Sequence, residues 1–244
     1  MAPSTSSPAP GPRVALITGA TGGLGTAVLG AFLDRGCAVA ATYRKDFEQG
    51  ALTSAAASRP LLPLKADVTS TADMEAAVAA TITRFGRLDY LINLVGAWAG
   101  GSPVWETSGD AWDRTIAVNL RSAFAASRAA IPHMLTQRYG RIVSVSSRTA
   151  LQPSPGAAAY AVSKAGVITL TETLALELRE HDADVTANCI LPSVIDTPAN
   201  RAAMPKADPA RWVRPEQLAA IIAWLTSDDA APISGAAIPI YGRA

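Results

Sequence analysis

The sequence predicts a single α/β domain built on a parallel sheet with helices on both faces. Short apolar runs alternate along the chain with helical segments of roughly ten or more residues, which is typical of parallel strands joined by crossover helices. A glycine-rich loop connects the first apolar run directly to the first helical pattern. With 244 residues, 49% of them hydrophobic, the chain can fill the core of one large domain.

Composition argues against several classes of function. The formal net charge is only +1, so a small-molecule substrate is favoured over nucleic acid. Cys37 and Cys189 lie in separate apolar runs, which indicates reduced thiols in a cytoplasmic protein. The chain has only two histidines, His133 and His181, which argues against a histidine-rich metal site or a Ser-His-Asp triad. No metal is therefore predicted.

Residues 1–12 differ in composition from the domain that follows them. Residues 1–12 have neither an apolar core nor a basic start, so they predict a disordered tail rather than a secretion signal. The domain is therefore placed at residues 13–244. No apolar run approaches the roughly 18 residues needed to cross a bilayer, so no membrane segment is expected.

The first elements indicate a dinucleotide site. Residues 13–18 are predicted to form a strand, residues 19–25 a glycine loop, and residues 28–33 the apolar face of a helix. Glycines let the backbone approach a pyrophosphate, whose charge meets the free N–H groups of the helix. An ordinary glycine turn is the alternative, and the position between strand and helix favours the cofactor site.

The second strand, residues 37–42, ends at two cations. An acidic residue at this position would accept the ribose 2'-hydroxyl of NAD, whereas Arg44 and Lys45 suit the extra phosphate of NADP. NADPH is therefore the preferred cofactor, with Arg44 as the main contact, and NADH stays possible. The alternative is an ordinary solvated turn.

Two more strands, residues 61–66 and 88–93, flank a helix that Ser70 caps. Ligands of parallel sheets bind at the carboxyl ends of the strands. The loop that follows the fourth strand carries Trp98, which is either a wall of the substrate pocket or a core plug. Asn119 has apolar neighbours in the next helix, so it needs partners and is either structural or catalytic.

Tyr160 and Lys164 are four residues apart, so a helix would place them on one face. A nearby cation favours the phenolate, and this would lower the tyrosine pKa toward neutrality. Ser147 follows an apolar run, and its hydroxyl would emerge at a strand end. The alternative is a common surface pair. Beyond a sixth strand, residues 193–214 are predicted to be an irregular lid, followed by a last helix and strand.

These motifs together resemble the short-chain dehydrogenase/reductase family over residues 13–242. They are the glycine loop 18–25, the pair Asp67-Val68, Asn119, Ser147, and Tyr160 with Lys164. The resemblance implies a doubly wound Rossmann fold with seven parallel strands and a homotetramer or homodimer. Departures occur at residues 93–96, where the family has Asn-Asn-Ala-Gly, and at Ser193, where it has glycine. The glycine loop also lacks the basic residue of some NADP-preferring relatives.

The resemblance also implies roles. Tyr160 would pass a proton to the substrate oxygen and Ser147 would hydrogen-bond that oxygen. Lys164 would lower the tyrosine pKa and hold the nicotinamide ribose, and Asn119 would hold a water that refills the tyrosine. Residues assigned to the cofactor are Gly19, Thr21, Gly22, Gly23, Leu24, Gly25, Arg44, Lys45, Asp67, Val68, Asn93, Gly96, Tyr160, Lys164, Pro192, Ile195 and Thr197. The substrate pocket is assigned to Trp98, Ser147 and Tyr160.

Three functions are compatible with this sequence. The first is an NADPH-preferring carbonyl reductase or alcohol dehydrogenase. The second is reduction of a dihydropteridine or similar heterocycle, because residues 96–101 and 196–208 resemble loops of quinonoid dihydropteridine reductases, although those enzymes lack the serine that Ser147 supplies here. The third is a cofactor-binding regulator without catalysis, since a fold does not fix a function.

Overall fold

Seven parallel strands form one sheet, in the order β3-β2-β1-β4-β5-β6-β7, in a computed structural model that describes residues 11–56 and 59–243. The strands are β1 (Val14–Thr18), β2 (Ala38–Tyr43), β3 (Leu61–Lys65), β4 (Tyr90–Asn93), β5 (Tyr139–Val145), β6 (Asp184–Pro192) and β7 (Ala237–Ile240). The α/β Rossmann fold predicted from the sequence is confirmed. Residues 1–10 of the predicted tail lie outside the described part.

Eight α-helices connect or follow these strands. They are α1 (Gly25–Asp34), α2 (Asp46–Ala56), α3 (Thr71–Phe85), α4 (Gly109–Ile116), α5 (Ser122–Thr136), α6 (Ala158–Arg179), α7 (Pro198–Ala203) and α8 (Pro215–Leu225) within the described residues. As the sequence predicts, Ser70 caps α3 and accepts a hydrogen bond from the N–H of Asp73 at 3.2 Å.

Helices pack on both faces of the sheet. Ile17 of β1 belongs to a buried cluster with Phe32 of α1 and Ile222 of α8. The adjacent Leu16 points to the opposite face, where it joins Met74 of α3 and other buried residues of α3 and α5. Strands buried on both faces have nearly continuous apolar runs, which is why the sequence identifies them.

The fourth strand begins at Tyr90, two residues after the start predicted from the apolar run. Asp89 interrupts that run with a completely buried carboxylate. This carboxylate accepts hydrogen bonds from the Val14 N–H at 2.8 Å, from Arg13 at 3.0 Å and from Arg87 Nε at 2.7 Å. The strand start is therefore tied to β1 by a buried ionic cluster, which the apolar pattern does not reveal.

The segment 193–214 is more ordered than the irregular lid that the sequence predicts. It contains α7 and a 3₁₀ turn at Pro209–Arg211, and a β-bridge pairs Ile195 with Val213. Thr197 caps α7 by accepting a hydrogen bond from Asn200 N–H at 3.2 Å, and Pro198 begins the helix with its fixed φ. Local capping thus gives this connection regular structure.

The carboxyl ends of the parallel strands meet at one edge of the sheet. β1 lies between β2 and β4, so the chain crosses to the other half of the sheet at this point. Such a switch point leaves a crevice between the loops that follow the strands. Among the residues that the structure describes, no helix combines the length and the apolar character needed to cross a membrane.

Candidate active site

The glycine loop brings the start of α1 close to the end of β1. Gly19 has a positive φ of 72°, and its carbonyl accepts a hydrogen bond from the Gly22 N–H at 3.1 Å. A Cβ at Gly25 would lie only 2.0 Å from the Gly19 oxygen, so glycine is required there. A Cβ at Gly23 would meet Thr197 Cγ2 at 2.6 Å, which places α7 directly against this loop.

A groove runs from this loop across the ends of β1, β2 and β3. It is lined by Gly19, Thr21, Thr42, Tyr43, Arg44, Glu48, Ala66, Asp67, Val68, Thr69, Val95 and Val118. The structure therefore brings together Gly19 and Thr21 of the glycine loop, Arg44 and the pair Asp67-Val68. Hydrogen bonds from the backbone and side chain of Thr69 lower the pKa of the Asp67 carboxyl.

Glu48 is a groove residue that the sequence interpretation missed. Its Oε2 atom accepts hydrogen bonds from the N–H groups of Arg44 at 2.9 Å and Lys45 at 2.7 Å. The Lys45 ammonium lies over the Phe47 ring, 5.6 Å from its centroid. The only signal in the sequence is a glutamate three and four residues after these two cations, where a helix begins.

Three predicted catalytic side chains lie near the C-terminal end of β5 and the start of α6, namely Ser147, Tyr160 and Lys164. Tyr160 lies in the first turn of α6, where burial raises its pKa and the nearby Ser147 hydroxyl offsets part of that rise. Ser147 follows β5 and is held by a hydrogen bond from the Thr149 N–H at 3.2 Å. The strand end and the helix start thus bring two hydroxyl groups together, as the family resemblance implies.

Lys164 is buried one turn beyond Tyr160. Its Nζ atom donates to the Val145 carbonyl at 2.9 Å and lies 6.0 Å from the Tyr160 ring centroid. Burial lowers the Lys164 pKa to about 8. Burial raises the pKa of Tyr160 and the ammonium is directed at a carbonyl, so the lowering of the tyrosine pKa by this cation stays a prediction.

Asn119 holds the loop that carries Trp98. It lies in a π-helical turn, Ala117–Arg121, between α4 and α5. Its side chain accepts from the Ala97 N–H at 3.0 Å and donates to the Ala97 carbonyl at 3.0 Å. A Cβ at Gly96 would lie 2.7 Å from Lys164 Nζ and 3.0 Å from Asn119 Oδ1, so this glycine leaves room for both side chains.

Asn93, which the sequence assigns to the cofactor, has a buried side chain at the end of β4. Its side chain is buried beneath the groove and donates to Ser144 Oγ at 3.2 Å and to Ser127 Oγ at 3.5 Å. Its Oδ1 atom has no hydrogen-bond partner among the described residues. Asn93 occupies the buried end of β4, and the groove nearby is lined by Val95 instead.

Trp98 lies against Tyr160. The two ring centroids are 4.9 Å apart at an interplanar angle of 63°, an edge-to-face arrangement. Trp98 is 62% exposed, which rejects the core-plug alternative. The indole therefore borders the Tyr160 side of the site.

Pro192 is the last residue of β6, and Ile195 and Thr197 follow it along the chain. Pro192 pairs with Ile240 of β7, and Ile195 forms the bridge to Val213. The neighbouring Ser193 stands where the resembled family has glycine. Its hydroxyl donates to the Tyr241 carbonyl at 2.7 Å, which connects it to the backbone just after β7. Of these residues, Thr197 reaches the glycine loop.

Comparisons with known proteins find relatives that match nearly the whole chain. A family model described as short chain dehydrogenase matches residues 13–208. The chain is 34% identical to a 3-oxoacyl-(acyl-carrier-protein) reductase of Thermotoga maritima, over 94% of this chain and 96% of that protein. It is 36% identical to 3beta-hydroxysteroid dehydrogenase 1 of Eggerthella lenta, over 94% and 92%. A mutant short-chain dehydrogenase/reductase of Serratia marcescens superposes with a TM-score of 0.84 at 32% identity, covering 95% of this chain and 97% of that one.

Proposed function

Since this chain belongs to the short-chain dehydrogenase/reductase family, we propose that it is a carbonyl reductase or alcohol dehydrogenase that prefers NADPH and also accepts NADH. Its family uses NAD(P) for oxidation and reduction of small molecules. The observation that carries the proposal is the convergence of Tyr160, Ser147 and Lys164 beside the groove.

The groove fits a nicotinamide cofactor. Gly25 can be replaced by no larger residue, and the open glycine backbone leaves N–H groups at the start of α1 for a pyrophosphate. Asp67 and Val68 would hold the adenine, and Ile195 and Thr197 the nicotinamide end. The bound nicotinamide supplies or accepts the hydride.

The side chains around Tyr160 supply the proton chemistry. The Tyr160 hydroxyl gives a proton to the substrate oxygen during reduction, and the Ser147 hydroxyl orients that oxygen. Lys164, with its pKa lowered to about 8, is able to lose and regain a proton near neutral pH and would restore the proton of Tyr160. Asn119, close to Lys164 at Gly96, would hold the water that connects this path to solvent.

The substrate pocket is bordered by exposed apolar groups. Trp98 covers one side of Tyr160, and Leu151, 56% exposed, follows the turn after Ser147. We therefore place an apolar or aromatic group next to the reacting carbonyl. The segment 193–214 would close over this pocket, with α7 already against the glycine loop.

Reduction of a dihydropterin is the second candidate. The exposed Trp98 face offers a flat surface for a heterocycle, and loops 96–101 and 196–208 carry the similarity to dihydropteridine reductases. Ser147 is the feature that favours a carbonyl substrate over the pterin.

A panel assay tests the function. Absorbance at 340 nm is followed with NADPH and then NADH against ketones, aldehydes, quinones and a quinonoid dihydropterin. We expect NADPH oxidation with apolar ketones or aldehydes. Turnover confined to the pterin would establish the second candidate. Nucleotide binding without turnover on any member would instead favour the cofactor-binding regulator.

Arg44→Ala is expected to weaken NADPH binding about tenfold or more, because a charge-assisted contact to the 2'-phosphate is lost. NADH binding should change little, since NADH has no phosphate there. The measurement is the KM for each cofactor. Arg59→Ala is the control, since it removes a cation that pairs with Asp34 outside the groove. Equal losses for both cofactors would remove Arg44 from the phosphate site.

Assembly and location remain predictions. A homotetramer or homodimer packed through the long helices is supported by exposed apolar residues on α5 and α6, namely Phe124, Val162 and Leu176. The cytoplasmic location is supported by the two buried free cysteines, Cys37 and Cys189.

A further inference from the structure

Glu48 holds a fixed position in the groove through its backbone partners. Its carboxylate accepts hydrogen bonds from the N–H groups of Arg44 and Lys45, and Thr21 lines the same groove. These contacts lower the Glu48 pKa, so the group is ionised at neutral pH. None of the ion pairs between described side chains includes Glu48, and its negative charge is therefore available to a ligand.

This carboxylate lies at the end of the groove where β2 finishes. Thr21, Tyr43, Arg44 and Asp67 line the same part of the groove. A phosphate placed there would be attracted by the Arg44 guanidinium and repelled by the Glu48 carboxylate. A hydroxyl placed there could donate a hydrogen bond to the carboxylate, which accepts but cannot donate when ionised.

The backbone N–H groups of Arg44 and Lys45 also favour a hydroxyl over a phosphate at this place. The N–H groups of Arg44 and Lys45 could bind a phosphate at this edge, but both already donate to the Glu48 carboxylate. A phosphate could take them only if the glutamate side chain rotated away. A hydroxyl group would leave the existing hydrogen bonds intact.

We propose that Glu48 sets the cofactor selectivity of this enzyme, by accepting a hydrogen bond from the ribose 2'-hydroxyl of NAD(H) and opposing the 2'-phosphate of NADP(H). This inference rests on the proposed NAD(P)-dependent function. Glu48 comes from the first turn of α2, whereas the position at the end of β2, where an acidic residue would be sought, is Tyr43. Arg44 thus favours NADP(H) and Glu48 favours NAD(H). The ratio of NADPH to NADH affinity is therefore smaller than Arg44 alone would produce.

Equilibrium binding separates the two effects of Glu48. Calorimetric titration with NADP⁺ and with NAD⁺ is carried out on the full chain and on Glu48→Gln, Glu48→Ala and Asp46→Asn. Glutamine keeps an acceptor for the backbone N–H groups and removes only the charge. Glu48→Gln should therefore bind NADP⁺ about fivefold more tightly, with a smaller change for NAD⁺. Glu48→Ala should in addition weaken NAD⁺ binding about threefold, because the acceptor is lost.

Asp46→Asn is the matched control. It removes the same charge two residues away, where the carboxylate pairs with Lys65 rather than lining the groove. The ratio of NADP⁺ to NAD⁺ affinity should stay at the unsubstituted value. The effect of Glu48→Gln should shrink at high ionic strength, because salt screens partly exposed charges.

The outcomes distinguish the inference from the function on which it rests. An unchanged affinity ratio in Glu48→Gln, or the same change as in Asp46→Asn, would overturn the role of Glu48 while nucleotide binding by the unsubstituted protein left the function standing. If the unsubstituted protein bound neither nucleotide, the proposed function and this inference would both fail.

Discussion

Tyr160→Phe is expected to lower kcat for carbonyl reduction by about 10² to 10⁴-fold, the usual contribution of a positioned proton donor. The change removes the hydroxyl that would protonate the substrate oxygen. It keeps the ring that packs edge-to-face against Trp98, so the shape of the site should be preserved. Affinity for NADP⁺ should consequently stay close to that of the unsubstituted protein. The measurement is kcat on the most active carbonyl of the panel, together with calorimetric binding of NADP⁺.

Tyr139→Phe provides a matched control for this substitution. Tyr139 lies at the opposite end of the strands, where its hydroxyl donates to Asp228 at 2.9 Å. Loss of that hydroxyl should leave kcat unchanged. Near-normal turnover in Tyr160→Phe would show that another group donates the proton, and a parallel loss of NADP⁺ binding would indicate damage to the groove rather than to the chemistry.

Asp89→Ala is expected to lower the free energy of unfolding by about 3 kcal/mol, the lower end of the range for breaking a buried ion pair. The completely buried carboxylate binds Arg13, Arg87 and the Val14 N–H. Its removal leaves the backbone N–H and two cations without their partner. Both arginine side chains retain some exposure, 25% and 17%, so water can compensate part of the loss. The measurement is urea unfolding followed by far-UV circular dichroism.

Asp182→Ala is the control, because it removes a solvent-exposed ion pair instead of a buried one. Asp182→Ala removes the partner of Arg138 at a solvated site, where both side chains are more than half exposed. Its unfolding midpoint should stay close to that of the unsubstituted protein. Equal midpoints for Asp89→Ala and Asp182→Ala would mean that the buried cluster contributes no more than a surface ion pair.

The fold and the order of the motifs follow from local sequence patterns. Strands buried on both faces have continuous apolar runs, helices between them have apolar residues with helical spacing, and both signals extend over whole elements. The glycine loop and the pair Tyr160 and Lys164 are equally local, because each depends on spacing within one turn or one helix. These features predict the parallel sheet and the pairing of Tyr160 with Lys164, whereas the meeting of Tyr160 with Ser147 follows from the family resemblance.

Other features depend on which distant residues the fold brings together. The sequence assigns Asn93 to the groove, yet packing against Ser127 and Ser144 buries its side chain. Asp89 lies within an apolar run, and only the contact of β4 with β1 gives its carboxylate partners. Segment 193–214 has weak periodicity, so the caps that order α7 are visible only in three dimensions.

The sequence by itself determined the fold class, the family and the residues that we propose to move a proton. Only the tertiary structure decided that Trp98 borders Tyr160, that burial raises the pKa of that tyrosine, and that Glu48 lines the groove at the ends of β1, β2 and β3. The physical reason is that pKa shifts and ligand contacts depend on burial and on distances of a few ångströms between separate elements. The spacing of residues along one helix or strand predicts neither burial nor the distances between elements.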